Sequence, residues 1–384
     1  MMRLAILLFA LLPVSEETAA QALFAVTAGG QRSQEALGVV PSGSSFKVAV
    51  RAYDPATGHR GELWNFTAQG SLLGTEVLPL PGRFFPQAME PLAGGGAVVV
   101  GAVMAPDSSA LDAVVMRLNA SYAWQWSTVA PLSGGQVLHA ATVLPDGSVI
   151  ATGTTSGPER HDVLVVRVSS TGALQWTTVI PGALDEEGLG VAVDATGAVI
   201  TGRQMNYGGS TDCYFARVDL NGGLQWVTAW GGVRDEVGLA ITRVAAGHFV
   251  MAGWTQSHAA YDQSEARWPR ATYLLAIDAN GDTLWTRSLA DTLVERTARS
   301  IGLAPNGDLF VGITERPMDG QGDGAAIMRA TVTGSPLWTR SYDLGKQEEA
   351  LQVRPLANGA IACGRSFGAA AQQVLLLRTD AQGN

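Results

Sequence analysis

Asp219-Leu-Asn-Gly-Gly-Leu-Gln-Trp-Val-Thr-Ala-Trp-Gly-Gly232 decides the fold, because it recurs. Upstream it reads Thr171-Gly-Ala-Leu-Gln-Trp176, and downstream Asn280-Gly-Asp-Thr-Leu-Trp285. Trp126, Trp176, Trp226, Trp285 and Trp338 therefore return about every fifty residues, the signature of one supersecondary unit stacked on copies of itself. One full unit can be read around the phrase. Residues 188–193 form a strand, 195–197 a tight turn, 198–201 a second strand and 205–211 a loop. A third strand at 213–218 and a fourth at 224–230 complete it. Four short antiparallel strands separated by glycine-bearing turns make a propeller blade.

The second and third strands of the other copies are nearly continuous apolar runs, such as Ala97-Val-Val-Val-Gly101 and Val163-Leu-Val-Val-Arg167. Such runs suit strands covered on both faces by neighbouring blades. Six copies are complete, the first carrying Gly74 where the tryptophan belongs. A seventh stops at the turn 380–384. The missing strand is at the other end: residues 23–30 match 225–232 in spacing, with Phe24 at the tryptophan position. The sequence thus predicts an all-β, seven-bladed propeller of four-stranded antiparallel blades. It closes through residues 23–29 paired with 372–379, which leaves no half-finished blade with an open edge.

Met1-Met-Arg3, the apolar run 4–14 and Ala20-Gln-Ala22 read as a secretory signal peptide cleaved near Ala22. The run is too short for a membrane span of about 20 residues. The expectation is a mature single domain, 23–384, secreted or periplasmic, monomeric and without a transmembrane segment. A net charge of −9 with only 25 Lys and Arg argues against a nucleic-acid partner. Cys213 and Cys363 belong to distant copies and are expected to stay as free, buried thiols.

Blade topology sorts the loops. Turns between strands one and two and between three and four share one face and are uniformly tight, as in Asp146-Gly147 and Asn221-Gly222. Loops between strands two and three and between blades share the other face and vary, which is where binding usually resides. The longest, 255–270, holds His258, Tyr261, Asp262, Arg267 and Trp268. These could form a ligand contact, or the loop could be a solvated insertion anchored by Trp268. The inter-blade loops repeat an acidic pair: Asp185-Glu186, Asp235-Glu236, a shifted Glu295 and Glu348. Those carboxylates could ring the channel mouth for Ca2+ or tie backbone amides at strand starts, and their repetition favours tying. No cofactor is expected. Arg117, Arg167, Arg217, Arg329 and Arg378 occupy one position of the third strand, which points to packing beside the tryptophan or to pairing with a carboxylate of the next blade. The histidines show no metal-ligand spacing, and no catalytic or phosphate-cradling motif occurs.

The phrase from Asp185-Glu186 through Gly197, Asp212, Arg217, Asn221-Gly222 and Trp226 to Gly231-Gly232 resembles the repeat of bacterial secreted β-propeller proteins. That resemblance implies the fold and export, and little about activity. Ala276-Ile-Asp-Ala-Asn-Gly-Asp-Thr-Leu-Trp285 is similar to the tryptophan-docking repeat of pyrroloquinoline-quinone dehydrogenases, without their adjacent cysteines. The sequence reading is an exported non-catalytic module binding a protein, glycan or envelope component through the loop face. A quinoprotein-like or other enzyme with its site at the central channel, and a purely structural envelope protein, are the alternatives. A chemically diverse, non-repeating cluster at the channel would favour the enzyme.

Overall fold

The structure, a computed structural model, describes residues 23–105, 110–130, 132–157, 160–257, 268–291, 293–318, 323–368 and 371–384. Its strands form seven four-stranded antiparallel sheets, and no helix occurs among the described residues. Blade 4 runs outward from the axis as Glu186–Val193, Gly197–Met205, Thr211–Asp219 and Leu224–Trp230. The protein is a seven-bladed β-propeller.

Alternation along each strand explains the apolar runs. Tyr214, Ala216 and Val218 pack with Ile150, Val163 and Val165 of blade 3. Their neighbours Cys213 and Phe215 face the other way, onto Phe249, Met251 and Leu275 of blade 5. A strand covered on both sides has no place for polar alternation. Each large side chain so buried contributes about 1.5–3 kcal/mol. Cys213 and Cys363 are both free and buried, in different inter-blade clusters. Burial pushes the Cys363 thiol up to about 12.

The repeating tryptophan joins blades at the periphery. Trp176 donates its Nε1 hydrogen to the Leu220 carbonyl of blade 5's neighbour, blade 4, at 3.0 Å, and Trp226 does the same to Ala279 of blade 5 at 3.0 Å. Gly222 follows Leu220 in that turn at φ +86, and a Cβ there would lie 2.8 Å from the Trp176 ring. Close approach of the ring and a left-handed backbone therefore both select glycine. The aligned arginines hold the same turns. Arg167 donates to the Leu220 carbonyl at 2.7 Å, and Arg217 pairs with Asp194 at 2.9 Å. The carboxylate comes from the arginine's own blade, not from the next one, which supplies a carbonyl instead.

One junction inverts the scheme. Blade 1 has Gly74 opposite Asn65, where blades 2, 3, 4 and 6 pair tryptophan with arginine. In the facing turn of blade 2, the glycine position is taken by Tyr122, which holds φ 64 and is 7% exposed. Tyr122 joins the cluster of Leu63, Phe84 and Met116. The aromatic ring is supplied from the other side of the same joint.

Closure follows the sequence expectation. Phe24–Ala28 pairs antiparallel with Gln372–Thr379, from Phe24↔Arg378 to Ala28↔Val374. Phe24 docks on the blade 1 turn as a tryptophan would: a Cβ on Gly70 would lie 2.7 Å from its ring. Arg354 of blade 7 reinforces the seam, donating to the carbonyls of Val39 at 2.9 Å and Met89 at 3.1 Å. Arg365 bridges Glu349 of its own blade and Glu35 of blade 1 at 2.7 and 3.1 Å.

Candidate functional site at the channel

The repeated acidic pairs act on backbone. The Asp185 carboxylate accepts from the His161 amide at 2.8 Å, and Asp235 accepts from the Thr211 amide at 2.9 Å. Each caps the start of a third strand in the preceding blade. Glu236 accepts from the Gly232 amide and the Thr255 hydroxyl, both at 2.6 Å. Glu186 accepts from the Leu184 amide at 3.3 Å, and Glu348 from the Ser366 hydroxyl at 3.2 Å. Burial raises the pKa of both Glu186 and Glu348, and one oxygen of each lacks a partner. Glu295 lies one residue before its blade's equivalent of Glu236. That register position is Arg296, whose partner Glu315 supplies the carboxylate at 2.7 Å. Glu295 instead approaches Arg270 at 3.7 Å. Among the described residues, no three His, Cys, Asp or Glu side chains gather into a metal-binding group.

Of the long-loop candidates, His258, Tyr261, Asp262 and Arg267 lie outside the described residues. Trp268 is half-buried, with the Arg234 guanidinium 3.5 Å over its ring. Arg270 stacks similarly on Trp254 at 4.2 Å, and Arg365 on Phe367 at 5.1 Å. Across blades 1 and 2, Tyr53, His59 and Phe85 form a run of tilted ring contacts with centroids 4.9 Å apart at each step. All of these lie at the loop-bearing end of their strands, and among the described residues the ring contacts do not recur from blade to blade, although Arg365 shares its register position and its pairing with a glutamate with Arg51 and Arg203.

The innermost strands enclose a central channel of about 730 Å³. Each of them bulges against its second strand three residues after the register position of Glu186, and blade 5 bulges a second time between Arg243 and Ala245. A bulge frees one residue from the ladder and re-aims its side chain. In order around the ring, the seven bulged residues are Leu37, Gln87, His139, Leu189, Leu239, Arg299 and Leu351. All seven line the channel and are partly exposed. The position repeats and the chemistry does not.

His139 and Arg299 sit alike. His139 Nε2 lies 3.3 Å from the Thr154 hydroxyl, and Arg299 Nε donates to the Thr314 hydroxyl at 3.4 Å, each threonine belonging to the second strand of the same blade. Burial lowers the pKa of both side chains. Nearby Glu187 opposes that shift in His139, as Glu349 does in Arg299. Both carboxylates are already engaged, Glu187 by Arg203 at 2.7 Å and Glu349 by Arg365 at 2.7 Å. Sequence reasoning passed over this collar. Aligning the inner strands on Gln34, Phe84, Gln136, Glu186, Glu236, Arg296 and Glu348 would have revealed it as the one column mixing leucine with Gln, His and Arg.

No protein-family model matches the sequence, and no curated protein matches it. Among solved structures, the chain is similar to a puromycin hydrolase mutant complexed with PGG, at 18% identity and TM-score 0.55. That match covers 91% of this chain and 52% of the hydrolase, so the chain spans about half the hydrolase's length. It is also similar to the WD40 domain of Neurospora crassa Pan2, at 10% identity and TM-score 0.50, covering 92% of this chain and 97% of that domain. At these identities the likeness is one of fold.

Proposed function

We propose that the chain is an exported, non-catalytic propeller that binds a protein, glycan or cell-envelope component. The contact surface is the face bearing the inter-blade and strand-two-to-three loops, around the channel mouth. The observation that carries this reading is where variation lies. On the tight-turn face, Asp219 accepts amide hydrogens from Asn221 at 2.7 Å and Gly223 at 2.9 Å, and Asp380 accepts from Gln382 and Asn384 at 2.8 and 2.9 Å, as if stamped from one die. On the loop face, the Arg234–Trp268 and Arg270–Trp254 pairs and the Tyr53–His59–Phe85 run of tilted rings each occur once among the described residues. Aromatic and arginine side chains are the residues that dominate binding energy at interfaces. The signal-like stretch 1–22 supports export. The channel collar is chemically mixed, which the sequence reading associated with an enzyme. Its histidine, however, has a threonine hydroxyl as its hydrogen-bond partner among the described residues, and no carboxylate orients the ring. Likeness to a hydrolase of twice the length brings fold and no activity.

The test is capture from cell-envelope extract by three immobilised forms: the wild type, Trp268→Ala with Tyr53→Ser on the loop face, and Thr171→Lys with Asn221→Lys on the tight-turn face. Loss of the captured component by the loop-face form alone is the expected result. Equal capture by all three forms, or turnover of aminoacyl amides by the purified wild type, contradicts the reading.

A further inference from the structure

Resting on the reading of the chain as a binding module, we propose that the channel holds a small organic carboxylate. Its head group sits on the Arg299 guanidinium, and its hydrocarbon part lies against the collar leucines. Four observations converge.

Arg299 is uncompensated. Among the described residues it makes no ion pair, and its only hydrogen bond is the 3.4 Å contact to Thr314. Glu349 and Asp323, the carboxylates that act on it, are engaged elsewhere, Glu349 by Arg365 at 2.7 Å and Asp323 by Arg316 at 3.4 Å. The Arg299 charge therefore faces the channel without a carboxylate partner among the described residues. Arg354 of blade 7, which also lines the channel, shows what a structural arginine looks like here: it is tied to two carbonyls and to Glu90 at 3.1 Å. A guanidinium taken partly out of water without a partner is costly, and a bidentate carboxylate is its best complement.

Ring order places polar partners opposite. In a closed ring of seven, blades 2 and 3 lie across the channel from blade 6, so Gln87 and His139 share the bulge level facing Arg299. Both side chains can donate to an oxygen. The other four collar positions, Leu37, Leu189, Leu239 and Leu351, are leucine, so a guest that is all charge would leave most of the ring facing water. The channel volume of about 730 Å³ falls inside the range of small-molecule sites, roughly 300–1,000 Å³. An amphiphilic carboxylate satisfies charge, donors and apolar wall together.

The experiment is calorimetric titration of wild type, Arg299→Gln and Leu239→Asn with 4-phenylbutyrate, 4-phenylbutyramide and inorganic phosphate. Unfolding midpoints are measured in parallel. The proposal expects saturable one-to-one binding of 4-phenylbutyrate to wild type, with the amide and phosphate at least about tenfold weaker. Arg299→Gln should lose about tenfold or more with an unchanged midpoint, and Leu239→Asn should also weaken binding. Absence of saturable binding overturns the proposal, as does equal binding of acid and amide, or of 4-phenylbutyrate and phosphate. The surface reading fails separately: if the loop-face variant still captures its partner while Arg299→Gln loses the carboxylate, the collar stands and the loop face falls.

Discussion

The periphery of the disc and the wall of its channel are built from the same seven copies, yet only one of them repeats. At the periphery, Trp126, Trp176, Trp226 and Trp338 each donate to a carbonyl in the next blade's outer turn, at 3.0–3.2 Å. At the channel, one bulged position carries leucine in blades 1, 4, 5 and 7 but Gln87, His139 and Arg299 in the others. Every blade must be fastened to its neighbour, so selection for stability writes the same residue into most copies, with Phe24 in blade 7 and Tyr122 across the blade 1–2 joint as substitutes. A ligand meets the ring once, so whatever binds it is free to differ. On the reading proposed above, repetition at the periphery marks fastening, and the mixed collar marks recognition.

The comparison breaks first if a peripheral tryptophan proves dispensable. Trp226→Ala removes an aromatic ring that is half-buried against the next blade, and truncations of this kind cost about 3–5 kcal/mol. Partial exposure places the expected loss near the lower figure, read as a fall in the urea unfolding midpoint.

The blade 1–2 joint sharpens the same point. Tyr122→Gly should cost about 2 kcal/mol: the buried ring is lost, and only part of that is offset by relief of its φ 64 backbone. Adding Gly74→Trp, at a position where a Cβ meets nothing within 4 Å, should restore the arrangement of the other blades. A double-mutant cycle is expected to give favourable coupling of about 1 kcal/mol or more. Additive losses would show that Tyr122 and the absent tryptophan are unrelated.

Glu186→Gln separates tying from charge. Burial raises the Glu186 pKa in the folded protein, so the folded state holds its proton to higher pH than the unfolded chain does. Wild-type stability therefore falls as pH rises from the unfolded carboxylate pKa through the raised folded one, and the penalty is complete above it. The amide variant lacks this slope. Blade 1 already uses glutamine here, with Gln34 accepting from the Gly30 amide at 3.2 Å. At pH 7 the variant should be as stable as wild type, or more stable by about 1 kcal/mol or less. Urea midpoints measured from pH 4 to 7 check this. Trp268→Ala should have the smallest effect on folding, about 1 kcal/mol or less, since Arg234 merely loses a stacking surface.

What was legible in the sequence follows from what each feature depends on. The tryptophan phrase, its Asn-Gly turns and the match of Phe24 to Trp226 are local patterns, and they carried the blade count and the closure of Phe24–Ala28 onto the last blade. Asp185 and Asp235 were visible as a repeat, though only the structure shows the His161 and Thr211 amides they cap. The collar was hidden for two physical reasons. A one-residue bulge shifts which side chain meets the channel, so no periodicity exposes it. In blade 6 the acid stands at Glu295 while the register falls on Arg296, which displaces Arg299 from any naive alignment. That Gln87 and His139 face Arg299 depends on closing the ring.

The most direct test of the division between fastening and recognition is the urea unfolding midpoint of Arg299→Leu. This substitution gives blade 6 the leucine that four other blades carry at the bulge. If the column has no fastening role, the variant unfolds at the wild-type midpoint or above it. A fall as large as that caused by Trp226→Ala would contradict the account.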